Sequence, residues 1–464
     1  MKRFNWRWLA ASSLLCAMVA AAQTRPQYGG TVRVTTHATL TSLDPADASQ
    51  TDSVARRSLL LMMFDTLVAI DDNGRIQPAL ATSWQASSGG RRWQLRLRRG
   101  VKFDDGTPLT AEIAVSSLRA ANASWNVRAD ADSVVIELET ENTEFPAELA
   151  LARNAIAKRS ADGKGSGTGA FHAVEWEPGK KLALAATENY WSGRPFLDRI
   201  EIEMGKGFRD QITALELGKA DVVEVPPEQL HRLSSGVHAV SSQPTELLAL
   251  VFAREAASPE EKMLHEALAL SIERGSIRSV LLQGAGVPAA SILPNWMSGY
   301  GFVFPSDADL PRARHECEQV KATIHLIPVW SLGYDSNDPL ARLLAERIAL
   351  NARDAGLSLQ PTSATAADVR LTRIALSSSD PWVALSTVAA MTGATLSRSK
   401  DNSAQDLYAA EEAVLASQRI IPLFHLPASY ATAAGVKDFR VRLDGSWDLS
   451  NMWLGGASLG NHGQ

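Results

Sequence analysis

Residues 167–202 read GTGAFHAVEWEPGKKLALAATENYWSGRPFLDRIEI. Within this stretch Lys181-Leu182-Ala183-Leu184 reads as a strand, and Ile200-Glu201-Ile202-Glu203 alternates as another. A second segment, Phe64 to Leu118, contains PALATSW and LRRGVKFDDGTPLTAE. There, Trp93 to Leu97 alternates as a strand, and Asp104-Asp105-Gly106-Thr107-Pro108 supplies a turn. Thr110 then caps a helix running through Ala114 and Leu118. Asp104 and Asp105 are turn residues in this reading, not a catalytic carboxylate pair.

Together the two segments resemble the family 5 extracellular solute-binding proteins, periplasmic receptors that hand oligopeptides, dipeptides or nickel complexes to ABC importers. Other parts of the chain carry the same resemblance. Gly29-Gly30, the strand Thr31 to Thr35 and Ser42-Leu43-Asp44-Pro45 follow the order in which family members begin. Ala220-Asp221-Val222, the tail Ile420 to His425 and Trp447 to Trp453 continue it, and the weakest stretch is Leu282 to Ala410. The resemblance implies a two-lobed α/β periplasmic binding protein of type II, the large peptide-receptor class, with an extra domain inserted in lobe I. Lobe I would take residues 23–57, 168–250 and 425–464, the inserted domain 58–167, and lobe II 251–424. It also implies a binder, not an enzyme, which closes over its ligand by a hinge.

The N-terminus supports export. Lys2, Arg3 and Arg7 precede an apolar run from Trp8 to Ala22, shorter than the roughly 20 residues of a spanning helix, and small residues at Ala20 and Ala22 predict cleavage after Ala22. Leu14 and Leu15 ahead of Cys16 stand where a lipid-attachment signal wants a small residue. The expected location is therefore the periplasm. Cleavage leaves Cys317 as the sole cysteine, so no internal disulfide forms. It also removes three basic residues and takes the formal charge from −5 to −8. An acidic surface argues against nucleic acid as partner. The expected partners are a peptide or other small solute and an ABC permease of the inner membrane, with the chain a monomer and no cofactor.

In the second half, Leu247 to Phe252 reads as a strand, and Ser258-Pro259-Glu260-Glu261 as a capping box with proline at the first helical position. Thr323 to Val329 is predicted as a short strand. Asp338-Pro339 opens a helix with Gly356 past its end, and Leu357 to Leu359 follows as a strand, an order that predicts a parallel pair.

Gly165-x-Gly167-x-x-Ala170 formally fits a dinucleotide fingerprint, but a polar loop precedes it and a strand-like segment follows, so it reads as a crossing between domains. Nine histidines include no HExxH, and no serine sits in a GxSxG elbow. Of twelve tryptophans, Trp84, Trp93, Trp176 and Trp191 read as framework. Trp296, Trp330 and Trp382 are candidates to line a ligand cleft, where flat apolar surfaces bury ligand side chains.

In peptide-binding members the extended ligand pairs with backbone from both lobes. The resemblance places one side of that site at Thr39 and Leu40, and the other before Asp380-Pro381. Peptide receptors carry there an aspartate for the ligand's ammonium; the matching residue is Ser377, with Asp380 as its possible replacement. The candidate ligand-binding residues are thus Thr39, Leu40, Trp296, Ser377, Asp380, Trp382, Phe424 and His425. Further departures are Ala253, where the family has asparagine, and His265, where it has arginine. Competing readings are a receptor for a metal chelate or haem, with His37 or His425 touching the complex, and a degenerate receptor that senses or scavenges. A secreted hydrolase is the weakest, for want of a supported nucleophile.

Overall fold

The computed structural model describes residues 25–50, 52–159, 165–234, 236–336, 338–376, 378–394, 396 and 403–455. The predicted leader and Ser377 lie outside the described residues.

One eleven-stranded sheet runs through both halves of the molecule. At its centre the two longest strands, His238–Phe252 and Ile420–Thr432, pair antiparallel. Their register shifts between Ser241 and Pro244, between Pro244 and Glu246, and between Leu248 and Ala249. Such bulges bend and twist a strand, and they accommodate Pro244, Pro422 and Pro427, whose missing N–H groups would break a regular ladder. This crossing pair therefore carries the sheet from one half to the other. On one side Thr31–Thr35 lies parallel to Arg199–Glu203 and Val222–Glu224. On the other, Val329–Gly333 lies parallel to Ser358–Thr362 across the helix Pro339–Asp354, as the strand-helix-strand order predicts.

Separate cores stabilise the halves. Val32, Val34, Leu182, Leu184, Ile200 and Ile202 pack against the helix Val54–Met63 and Trp447. Beyond the crossing, alternate residues of one strand serve two cores. Leu248, Leu250 and Phe252 join the helices Pro259–Ser271, Leu310–Ile324 and Pro339–Asp354. Leu247 and Ala249 face Pro381–Thr392 and Ala404–Ala416. The buried residues of a further core lie between Leu67 and Ile156, with Trp191 packed against them. It forms beneath a four-stranded antiparallel sheet of Ala81–Ala86, Arg92–Leu97, Ser133–Glu137 and Asn126–Asp130, together with the helix Ala111–Ala121.

The chain leaves this module through the glycine cluster. A methyl group at Gly167 would stand 1.9 Å from the Met63 carbonyl oxygen, and one at Gly169 2.4 Å from that of Met62. Only glycine allows the approach. The strand Phe171–Glu177 follows, not the helix of a nucleotide-binding loop.

The predicted caps form. Thr110 accepts from the Ile113 N–H, Ser258 from Glu261, and Asp338 from Leu340 and Ala341. The predicted strand Thr323–Val329 is corrected: Thr323 and Ile324 end the helix Leu310–Ile324, and the strand is Val329–Gly333. Asp309 caps that helix with Pro311 in its first turn, and these start signals outweigh the β-branched pair at its end. Among the described residues no helix is long and apolar enough to cross a membrane.

Candidate functional site

A cleft of about 610 Å³ opens between the two halves over the crossing strands, where Glu246, Leu248 and Pro427 to Tyr430 line it. His37, Phe208 and Glu224 form part of one wall; Tyr334, Asp335, Asp338, Arg370 and Arg373 form part of the other. Four carboxylates and two guanidiniums thus share it.

Each charged group is positioned by the fold. Glu224 ends the strand Val222–Glu224, which pairs with Ala431 and Tyr430 of the crossing pair. Its own N–H donates to Gln211 Oε1 at 2.9 Å, and its Oε2 accepts the His37 N–H at 2.6 Å. Gln211 is fully buried and donates to the Lys206 carbonyl at 3.0 Å. Burial raises the Glu224 carboxyl above the usual range, and the His37 N–H opposes that shift. The His37 ring stacks on Phe208, with centroids 4.6 Å apart at 20°.

Across the cleft, Arg373 Nε donates to Asp338 at 3.2 Å and Nη1 to Glu246 at 3.5 Å. Burial pulls this guanidinium down, but the carboxylates of Glu246, Asp338 and Glu228 outweigh it and hold it above its ordinary value. Arg370 Nη1 donates to the carbonyls of Ala364 and Thr365 at 3.0 and 2.7 Å.

His37, named for the chelate reading, lines this cleft, but the described ligand-binding candidates are placed differently. Of the seven described ones, none lines this cleft. Thr39 is exposed beside it, since His37 and Ala38 line it. Leu40 is buried in the first core, and its carbonyl accepts the Gly179 N–H at 2.6 Å. Trp382 and Phe424 are buried among apolar residues of the second half. His425 is buried with Nε2 2.9 Å from the Ile292 carbonyl, and burial lowers it to about 4. Half-buried Trp296 donates its indole N–H to the Pro244 carbonyl. Asp380 caps the helix Pro381–Thr392 through the Val383 N–H.

Ahead of Ser377, the Leu376 N–H donates to Thr245 and its carbonyl accepts Arg57 Nη1 at 3.2 Å. Ser378 and Ser379 line a second cavity of about 390 Å³, with Asp65, Tyr190, Trp191 and Asp444. Of the two backbone segments expected to hold one extended ligand, Thr39 and Leu40 line neither cavity while Ser378 and Ser379 line the second, and the carbonyls of Leu40 and Leu376 already have donors. In the second cavity Thr168, Tyr190 and Trp191 all donate to Asp65, at 2.8 to 2.9 Å. Burial still pushes that carboxyl up to about 6.

Residues that sequence reasoning passed over do line the cleft. Glu224 interrupts Val222-Val223-x-Val225 ahead of two prolines, and Glu246 heads the apolar run Leu247 to Phe252. A lone carboxylate in an apolar strand was the available signal.

Residues 75–380 match the model of the bacterial extracellular solute-binding proteins, family 5, middle region. The chain belongs to this family. The nickel-binding protein NikA of Staphylococcus aureus is 25% identical over 243 residues, 49% of this chain and 49% of its own length. The oligopeptide-binding protein AppA of Bacillus subtilis is 23% identical over 331 residues, 64% of this chain and 59% of its own. The chain thus spans about half to three fifths of these family 5 relatives. The structure of the periplasmic binding protein DppA of Helicobacter pylori, in complex with the peptide STSA, superposes with a TM-score of 0.78 at 18% identity. That match covers 94% of this chain and 100% of the other. The family 5 fold, α/β and of the periplasmic binding-protein type, is the fold of this protein.

Proposed function

We propose that this protein captures a small, peptide-like solute in the cleft between two lobes and delivers it to a membrane permease of an ABC importer. The observation that carries the reading is the cleft itself, open over two bulged crossing strands with ionic groups on both walls. Its dimensions suit a small solute. Lobe I would comprise residues 23–57, 168–250 and 425–464, with 58–167 inserted, and lobe II 251–424. Bending at the bulges would bring Tyr334 and Arg373 toward His37 and Glu224. The protein would be exported by a leader cleaved after Ala22, act in the periplasm as a monomer, and bind without turnover.

His37 favours one second reading, a receptor for a metal chelate, because its imidazole reaches the cleft while His425 does not. A thermal-shift screen of residues 23–464 separates the two. Pools of di- to pentapeptides, nickel-histidine, haem and oligosaccharides are each added in excess. A ligand at a hundred times its dissociation constant adds about 2.7 kcal/mol of stability. A shift with a peptide pool supports the first reading, one with nickel-histidine the second, and silence in every pool counts against both.

A further inference from the structure

We propose that the solute taken by this cleft carries an organic cation, an ammonium or guanidinium, seated against the carboxylate of Glu224. The inference rests on the reading of the cleft as the solute site and adds the chemical class of what enters it.

The ion pairs of the cleft are unevenly distributed. Arg373 is engaged by Glu246 and Asp338, and Arg370 is turned onto the carbonyls of Ala364 and Thr365. Among the described residues no lysine, arginine or histidine side chain comes within ion-pair distance of Glu224. Its favourable contacts are the His37 N–H on one oxygen, the Gln211 side chain and the neighbouring His37 ring, none of them a lysine or arginine. An ionised carboxylate without a counter-charge in a poorly solvated place is costly, and a cation supplied from outside offsets that cost.

Construction of the site favours retention of the carboxylate. Thr35, Gln211, Lys206 and His37 form a hydrogen-bonded frame that fixes the end of the strand Val222–Glu224 and so the direction of its last side chain. A residue needed only for packing would require no such frame. Beside it, the stacked His37 and Phe208 rings offer flat faces, with Tyr334 on the facing wall, and cations are attracted to aromatic faces. With four carboxylates against two guanidiniums, the cleft as a whole also favours positive solutes over negative ones.

The test uses residues 23–464 and three cationic probes: alanyl-lysine, putrescine and spermidine. Each is paired with its fully N-acetylated form, and succinate serves as an anionic control. Calorimetry should find binding of at least one cationic probe, weakened roughly 30-fold or more by acetylation and by Glu224→Gln alike, as for loss of one partner of a buried charge pair. Circular dichroism and thermal melting of the apo variant confirm that it folds. Equal affinity for acetylated and free probes, unchanged affinity in Glu224→Gln, or binding by none of the cations overturns the proposal. Ala38→Trp, which fills the cleft from a half-buried position on its wall, distinguishes the two levels of failure. If a neutral or anionic solute binds and Ala38→Trp abolishes it, the cleft remains the solute site and only the cation is wrong. If a probe binds and Ala38→Trp has no effect, the reading of the cleft itself falls.

Discussion

Glu224 and Asp65 are both carboxylates at cavity walls, and both are raised above their ordinary range by burial, yet their surroundings differ in kind. Asp65 receives three side-chain donors, from Thr168, Tyr190 and Trp191, drawn from chain segments more than a hundred residues away. Glu224 is half-buried at the cleft wall and receives the His37 backbone N–H and the Gln211 side chain, with no lysine or arginine of the described residues beside it. The first arrangement is complete and its value lies in stability. The second leaves acceptor capacity unused, which a fold retains at a cost when something else is to fill it.

That contrast can be broken by mutation. Asp65→Ala should destabilise the protein most, by about 2–4 kcal/mol, because three donors lose their acceptor at once. Urea unfolding measures it, and a loss below about 1 kcal/mol would mean that water replaces the carboxylate freely.

Acidification gives the next effect. Glu411 accepts from the Tyr300 hydroxyl and the Ile292 N–H, and burial raises it to about 7 from its ordinary 4.5. A raised carboxyl binds its proton more tightly in the folded chain, so its contribution is most favourable below pH 4.5 and is lost as the pH rises through 7. Asp65 acts in the same sense between 3.8 and about 6. His425 opposes both: the unfolded imidazole takes a proton near 6.5 and the folded one only near 4, so stability falls on acidification in that window. Glu411→Gln should therefore leave a protein that loses stability more steeply than wild type as the pH drops from 7 toward 4.5, followed by melting temperature. Parallel profiles for the two proteins would remove Glu411 from the account.

Thr168→Val sharpens the comparison by deleting one of the three donors to Asp65. The expected loss is about 1 kcal/mol in urea unfolding. Smallest of all, Glu224→Gln should raise the stability of the ligand-free protein by about 0.5 kcal/mol, since the amide accepts the same His37 N–H and carries no charge that lacks a partner. A loss comparable with that of Asp65→Ala would place Glu224 among the structural carboxylates.

How much of this was legible in the sequence differs from element to element. Strands with clean alternation, such as Thr31–Thr35, and helices with explicit caps, such as those opened by Ser258 and Asp338, follow from local chemistry. The crossing pair did not. The first half of His238–Phe252 reads His-Ala-Val-Ser-Ser-Gln-Pro, whose polarity and proline argue against a strand, and only pairing with Ile420–Thr432 makes it one. The site was harder still. Trp330 and Trp382 are large aromatics that suit a cleft, but such residues serve a core as readily, and here both are buried in cores. Glu224 and Arg373 come from strands in opposite halves, so that no spacing along the chain places them on one cavity.

Burial of Cys317 has a practical consequence. Its side chain sits in the core of the second half, and burial pushes the thiol up to about 11, leaving almost none of it as the reactive thiolate at neutral pH. Produced as residues 23–464, without Cys16, the folded protein would be effectively blank to maleimide chemistry. Cysteines introduced at Ala38 and Ser363, on the two rims of the cleft, would accept a donor and an acceptor dye without removal of the native residue. Lobe movement could then be read as an optical distance change in single molecules, with any solute added, known or not.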